Sequence, residues 1–259
     1  MNTLDDVQAM ERLDPERMID RINELPDQFV DAWRNISTLK LPDGYSRVNN
    51  VVLLGMGGSA IGGDLVRTLV AEEMRIPMLV WREYTVPAFV GPDSLVIGSS
   101  YSGSTEETLS AFQQAKERGA KLVAVTTGGR LRDLAHQVGA AIVQFSYKAQ
   151  PRAALGHSIV PIIGILQKLG LIGDKQKEIE EAVSVMVAMR GELAPVVASA
   201  ANPAKQLAEA IFGRVPIVYG QGLLSEVARR WKGQFNENSK SWAFFEALPE
   251  LNHNAVVGY

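Results

Sequence analysis

The sequence predicts an α/β protein: a three-layer α/β/α sandwich with a mostly parallel sheet, followed by the start of a second, similar unit. Short strands that are apolar along their whole length alternate with helical segments over residues 50–144. Strands of that kind are typical of a parallel sheet covered by helices on both faces. The predicted strands are Asn50–Leu54, Pro77–Trp81, Ser94–Gly98, Lys121–Thr126 and Ala140–Gln144. The predicted helices are Pro15–Asn35, Ser59–Ala71, Ser104–Arg118 and Leu131–Gln137.

The pattern changes after Gln150. Three long helical segments come first, and then one apolar strand, Val215–Gly220, leads through a glycine turn into a further helix, Leu223–Asn236. A lone strand cannot build a sheet, so this strand is expected to join another element or to belong to an incomplete unit. The predicted domains are therefore residues 1–150, a helical connection over 151–213, and the beginning of a second unit over 214–259. The three long helical segments are Ala154–Leu169, Lys175–Ala198 and Ala201–Phe212.

Composition narrows the class of protein. Hydrophobic residues make up 46% of the chain, which is ample for a buried core, and the net charge of −3 gives no basic field for nucleic acid. There is no cysteine, the polar and acidic residues Met1–Asp6 do not resemble a signal peptide, and no apolar run approaches the ~20 residues that span a membrane. We therefore expect a soluble, cytoplasmic protein without membrane or nucleic-acid partners.

Two turns rich in glycine and serine follow the first and third predicted strands. The first reads Gly-Met-Gly-Gly-Ser at residues 55–59, and the second reads Ser-Tyr-Ser-Gly-Ser-Thr at residues 100–105. Glycine lets the backbone approach a ligand closely, and a helix that begins at the turn directs free N–H groups and a positive dipole end toward it. Hydroxyl groups add hydrogen-bond donors without charge, so the pair of turns favours a phosphate group.

Two other interpretations fit these turns less well. Gly55 and Gly57 begin a dinucleotide-binding fingerprint, with Ala60 permitted at its last position, but the acidic residue expected after the next strand is represented only by Glu83. No Gly-Lys-Ser/Thr follows, so the turn is not a Walker loop. The second turn could simply cap a helix, although capping needs one hydroxyl and several are present. The predicted phosphate-binding residues are Gly57, Gly58, Ser59, Ser100, Ser102 and Thr105.

In sequence and order, the two turns resemble the double phosphosugar cradle of the SIS (sugar isomerase) family. Later segments are similar to its bifunctional phosphoglucose/phosphomannose isomerase branch: residues 151–154, 229–240 and 246–254. The resemblance implies interconversion of glucose 6-phosphate, and of mannose 6-phosphate, with fructose 6-phosphate through an enediol, with no cofactor. It also implies a homodimer, which an incomplete second unit with exposed apolar surface and sheet edges would favour independently.

The resemblance further assigns roles to three residues. Glu237 would move the proton between C1 and C2, His253 would open the sugar ring from the partner subunit, and Arg152 would stabilise the enediolate. This set suits the chemistry, which needs a carboxylate, a proton shuttle and a cation near the developing oxyanion. The residues alone leave plainer interpretations open: a solvated carboxylate at a helix end, a histidine in a turn, and a surface charge in a loop.

The chain departs from this branch in one respect. Members continue beyond the segment equivalent to residues 252–254, where they carry a further catalytic lysine and a small residue that admits both C2 epimers. The chain is therefore expected to be either part of an active isomerase or a shortened protein that binds phosphosugar without turnover. A sugar-sensing regulatory domain is a third alternative, disfavoured by the negative net charge and the single predicted N-terminal helix. His136 and His157 are left out of the predicted site.

Overall fold

The computed structural model describes residues 3–258, and these residues form two compact units. One unit is Leu25–Glu180, and the other joins residues 3–24 to residues 181–258. In chain order the elements are α1 (Val7–Leu13), α2 (Met18–Asn23), α3 (Leu25–Ser37), β1 (Asn50–Leu54), α4 (Gly57–Leu69), β2 (Met78–Trp81), β3 (Ser94–Ser100), α5 (Glu106–Glu117), β4 (Lys121–Thr126), α6 (Gly129–Gln137), β5 (Ala141–Gln144), α7 (Gly156–Lys168), α8 (Gln176–Glu192), α9 (Pro203–Ile211), β6 (Ile217–Gln221), α10 (Leu223–Asn238) and β7 (Phe244–Leu248).

The Leu25–Glu180 unit is built on a parallel five-stranded sheet in the order β2-β1-β3-β4-β5. Successive side chains in a strand point to opposite faces of the sheet, so alternate residues of each strand pack into two separate hydrophobic cores. Val51 and Ile97 pack with α3, α4 and α7 on one face, whereas Val52 and Val96 pack with α5 and α6 on the other. The predicted three-layer sandwich is therefore confirmed, and the strands are apolar throughout because both faces are covered.

The second unit contains a smaller sheet. Strands β6 and β7 pair in parallel, with α10 as the connection between them. Only one strand was predicted in this part of the chain, and that count is wrong, since Phe244–Leu248 is a second strand and is the element that the first one joins. Its residues are partly exposed rather than buried on both faces, so the strand lacks the continuous apolar run that identified β1 and β3.

The single helix predicted over Pro15–Asn35 is also corrected. The structure contains two helices there, α2 and α3, with Glu24 between them. Pro26 lies in the first turn of α3 and has no N–H to give to a carbonyl of the preceding turn, so the helical ladder cannot run through it. The first-turn position is one that proline tolerates, which is why α3 begins there.

Candidate active site

The two predicted ligand turns lie at the point where the sheet changes direction. From β1 the chain runs outward to β2 and then returns to form β3 on the other side of β1. The carboxyl ends of β1 and β3 therefore border a crevice, which is where ligands bind in open parallel sheets. Residues 55–59 follow β1, and residues 100–105 follow β3, so the predicted pairing of the two turns agrees with the topology.

A direct hydrogen bond joins the two turns. The backbone N–H of Tyr101 donates to the Ser59 hydroxyl at 3.1 Å. Ser59 lies in the first turn of α4 and is half-buried, so its hydroxyl faces the second turn rather than open solvent. The glycine-rich and hydroxyl-rich segments, separated by a helix and two strands in the sequence, therefore form one continuous surface.

The second turn is held by its own hydroxyl groups. The hydroxyls of Ser100 and Thr105 lie 2.9 Å apart, and the Gly103 N–H donates to the Ser100 hydroxyl at 3.1 Å. Gly103 has φ of +65°, which a side chain would strain. Ser100 is buried, while Ser102 is exposed and accepts from the Ser104 N–H at 3.2 Å. Among the predicted hydroxyls, Ser102 is thus the one most open to a ligand, and Ser100 shapes the turn.

Two helix N-termini meet at this crevice without side-chain caps. Neither Met56, which precedes α4, nor Thr105, which precedes α5, makes a side-chain hydrogen bond to the first turn of its helix. Thr105 instead directs its hydroxyl to Ser100. The first N–H groups of a helix need partners from outside the helix, and its dipole favours an anion at this end. The arrangement therefore suits a phosphate group.

Arg152 lies beside the first turn of α4. It belongs to the short 3-10 turn Pro151–Ala153, whose backbone packs on Gly58. A Cβ at Gly58 would lie 2.8 Å from the Pro151 carbonyl oxygen and 3.2 Å from the Arg152 nitrogen, which leaves no room for a side chain. Glycine at this position lets the segment that carries Arg152 approach Ser59. The structure thus places the backbone of Arg152, the predicted cation, beside the predicted phosphate cradle.

Tyr101 belongs to this site, although the sequence did not single it out. Besides the bond from its N–H to Ser59, its hydroxyl donates to the Tyr147 carbonyl and accepts from the Ala149 N–H at 2.9 Å. The second turn is in this way fastened to the segment that leads to Arg152. The only signal in the sequence was an aromatic residue in the middle of a hydroxyl-rich turn.

His157, which the sequence left out of the site, lies directly behind the cradle. Its ring stacks on Phe145 with centroids 4.7 Å apart, and it shares a small cavity of about 10 Å³ with Ser59 and Tyr101. Burial lowers the pKa of His157, while the carboxylate of Asp31 acts in the opposite direction. Its Nδ1 has no hydrogen-bond partner among the described residues. The buried environment therefore favours the neutral imidazole.

Glu237 and His253 belong to the other compact unit. Glu237 is exposed in the last turn of α10, and its backbone carbonyl accepts from the Lys240 ammonium. His253 is exposed at the end of the 3-10 turn Glu250–His253. The structure therefore unites the cradle and Arg152 within one unit, and the catalytic roles of Glu237 and His253 stay predictions.

Membrane-spanning helices and metal sites are both absent from the described residues 3–258. No helix in that range is both long and apolar enough to cross a membrane. No group of three or more histidine or acidic side chains in the same range has the arrangement of a metal site.

Comparison with known proteins identifies the family. Residues 44–136 match the SIS domain, and residues 200–259 match the bacterial phospho-glucose isomerase C-terminal SIS domain. The chain is 45% identical to a bifunctional phosphoglucose/phosphomannose isomerase of Caldicellulosiruptor bescii, over 93% of this chain and 71% of that protein. It is 39% identical to a protein of the same name from Aquifex aeolicus, over 81% of this chain and 62% of the relative.

Solved structures share the fold at low sequence identity. The tagatose-6-phosphate ketose/aldose isomerase from Escherichia coli superposes with a TM-score of 0.69 at 16% identity, covering 93% of this chain and 69% of that one. This similarity confirms the predicted fold class. The curated relatives confirm the family that the sequence resembles and the predicted class of enzyme, an isomerase. The chain belongs to the bifunctional phosphoglucose/phosphomannose isomerase family.

Proposed function

We propose that this chain binds a hexose 6-phosphate at the crevice between β1 and β3 and interconverts its aldose and ketose forms. The substrates are glucose 6-phosphate and mannose 6-phosphate on one side and fructose 6-phosphate on the other. The observation that carries the proposal is the meeting of two helix N-termini without side-chain caps, a hydroxyl-rich turn and the Arg152 backbone at one place. Family membership favours catalysis over binding alone.

The phosphate is held by neutral donors at the cradle. The exposed hydroxyl of Ser102, the hydroxyls of Ser59 and Thr105, and the N–H groups at the start of α4 and α5 supply hydrogen bonds to its oxygens. Hydrogen bonds to a charged acceptor are stronger than those between neutral groups, so this set anchors one end of the sugar. Gly57 and Gly58 let the backbone come close enough to take part.

The proposed isomerisation moves one proton between two neighbouring carbons. After His253 assists ring opening, the carboxylate of Glu237 removes the proton from C2 of the aldose, and the electrons of that C–H bond form the enediolate. Return of the proton from Glu237 to C1, with transfer of the O2 hydroxyl proton to O1, gives the ketose, so the reaction consumes no redox equivalent and needs no cofactor. Arg152 stabilises the negative charge that develops on the enediolate oxygens.

We also propose a homodimer in which His253 acts from the partner subunit. The exposed apolar side chains of the second unit support it, among them Phe212, Trp242 and Phe244. The proposed domains remain residues 1–150, 151–213 and 214–259, and the two SIS matches support the first and the last of them in outline. The compact units divide the chain elsewhere, after Glu24 and after Glu180. A phosphorylated sugar is charged and crosses a lipid bilayer poorly, so it stays in the compartment where it is formed. We propose that the enzyme acts on it in the cytoplasm.

The direct test is a coupled assay of fructose 6-phosphate isomerisation on the 259-residue chain. Thermal-shift titration of the same ligand on the same sample separates binding from turnover. Binding with turnover supports the proposal, and binding without turnover reduces it to a phosphosugar-binding protein. A folded chain that does neither contradicts it.

A further inference from the structure

The segment between β5 and α7, which carries Arg152, is held by a side chain from α3. The amide nitrogen of Gln28 donates to the Ala153 carbonyl at 2.8 Å and to the Tyr147 hydroxyl at 3.0 Å. Its amide oxygen accepts from the Gly156 N–H at 3.0 Å. One side chain therefore contacts the segment on both sides of Arg152.

This amide is buried and fully engaged. Gln28 is 2% exposed, and a neutral side-chain amide is one of the few groups that can donate twice and accept as well. Packing around it is tight, since a Cβ at Gly156 would lie 2.6 Å from the Cβ of Gln28. An apolar side chain would fill the space but leave the Ala153 carbonyl and the Gly156 N–H without these partners.

The position of these bonds matters more than their number. The Ala153 carbonyl, which accepts from Gln28, lies one residue after Arg152. The backbone of Pro151 and Arg152, in the same short turn, packs on Gly58 of α4. The short 3-10 turn is thus fixed between α3 and the first turn of α4. A displacement of about 1 Å in a catalytic group can lower a rate about a hundredfold, so such a support has functional weight.

We propose that Gln28 is a positioning residue that holds the Arg152 guanidinium at the reacting end of the bound sugar phosphate. The inference rests on the proposed function, because it assigns Arg152 to that end of the substrate. Gln28 contacts neither substrate nor phosphate in this account. It acts only through the backbone of the segment that carries Arg152.

Two ligands that differ at one end separate positioning from general folding effects. Arabinonate 5-phosphate carries a carboxylate whose two oxygens stand in for those of the enediolate, and arabinitol 5-phosphate carries an uncharged hydroxyl there. Both share the phosphate, so the ratio of their dissociation constants reports on the end that carries the carboxylate, and the change of that ratio in Arg152→Gln gives the contribution of Arg152. The measurement needs no turnover and is made by titration calorimetry on the whole chain.

The central variant is Gln28→Met, with Arg152→Gln as the reference for complete loss. We expect Gln28→Met to weaken arabinonate 5-phosphate about tenfold while changing arabinitol 5-phosphate by less than about twofold. Asn35→Leu is the matched control: Asn35 is also an amide on α3, and it donates to the Gln144 carbonyl at 2.8 Å, away from Arg152. It is expected to leave both affinities unchanged.

Tyr147→Phe covers the case in which Gln28→Met does not fold. It removes only the hydroxyl that accepts from Gln28 and leaves the other two bonds of the amide, so a loss of about threefold is expected for the carboxylate ligand alone. Thermal unfolding of each variant gives the folded fraction.

The affinities of the two ligands distinguish a positioning role from a structural one. A selective loss for the carboxylate ligand supports positioning. An equal loss for both ligands, or no loss in a folded variant, overturns it and leaves Gln28 a structural residue. If Arg152→Gln leaves the ratio of the two affinities unchanged, Arg152 does not act at that end and the inference is wrong. If it binds neither, the proposed function is wrong, and the positioning role with it.

Discussion

The phosphate cradle and the region that carries Glu237 and His253 are built in different ways. The cradle lies at the switch point of a sheet whose central strands β1, β3 and β4 are buried, and hydrogen bonds from Tyr101 and Gln28 connect its parts. The other region has a two-stranded sheet, and Trp242 beside it is 77% exposed. All parts of the phosphate cradle thus lie within one compact unit. The other region presents apolar surface of the kind that a further protein surface covers.

The largest expected effect is a loss of isomerisation rate without a loss of binding at the cradle. Glu237→Gln removes the proton acceptor but keeps the size of the side chain, so the isomerisation rate is expected to fall about 10²- to 10⁴-fold with little change in sugar-phosphate affinity. Initial rates and titration calorimetry measure the two quantities. Glu209→Gln, at an exposed glutamate on α9, is the control and should change neither. An affinity loss as large as the rate loss would make Glu237 a binding or structural residue.

A pair of glycine substitutions compares the two regions directly. Gly58→Ala places a Cβ 2.8 Å from the Pro151 carbonyl and is expected to lower the free energy of unfolding by about 1–3 kcal/mol and to weaken fructose 6-phosphate binding. Gly233 lies in α10 with open space around its Cβ position, so Gly233→Ala should stabilise the chain by about 0.4–1 kcal/mol. Denaturant unfolding measures both. Equal effects at the two sites would contradict the close approach at Gly58.

Removing two cradle hydroxyls should weaken binding while the chain stays folded, although one of them, on Thr105, also contacts Ser100 within the turn. Ser102→Ala with Thr105→Ala is expected to cost about 1–3 kcal/mol of binding free energy for fructose 6-phosphate, since hydrogen bonds to a charged acceptor are lost. Ser37→Ala with Thr38→Ala is the matched control, because those exposed hydroxyls donate to carbonyls near the end of α3. Unchanged affinity in the cradle variant would remove the second turn from the phosphate site.

The smallest effect concerns pH. Because burial lowers the pKa of His157 in the folded chain, the unfolded chain binds more protons there below its ordinary value of about 6.5. The free energy of unfolding should therefore fall as the pH drops below that value, and the fall should end at the folded pKa. His157→Phe removes this contribution and should flatten the dependence. Identical thermal-unfolding profiles from pH 7 to pH 5 would contradict the buried, neutral imidazole.

The sequence was most informative where a strand is covered on both faces. Strand β1 was predicted with its observed bounds, and β3 was predicted from its first residue, because a short, continuous apolar run between turn residues is typical of a fully buried strand. The half-exposed strand β7 gave no such signal. Within the candidate site, the hydroxyl-rich turns were visible locally. The contacts of Gln28 with Ala153 and Gly156 join residues 125 and 128 positions apart, and nothing in the local pattern indicates them.

The central claim is that the crevice between β1 and β3 binds a hexose 6-phosphate for isomerisation. Titration of fructose 6-phosphate into the 259-residue chain, with isomerisation recorded on the same sample, tests it most directly. We expect saturable binding that the Ser102 and Thr105 double variant weakens, and turnover that Glu237→Gln lowers about 10²- to 10⁴-fold. A folded chain with no binding and no turnover would contradict it.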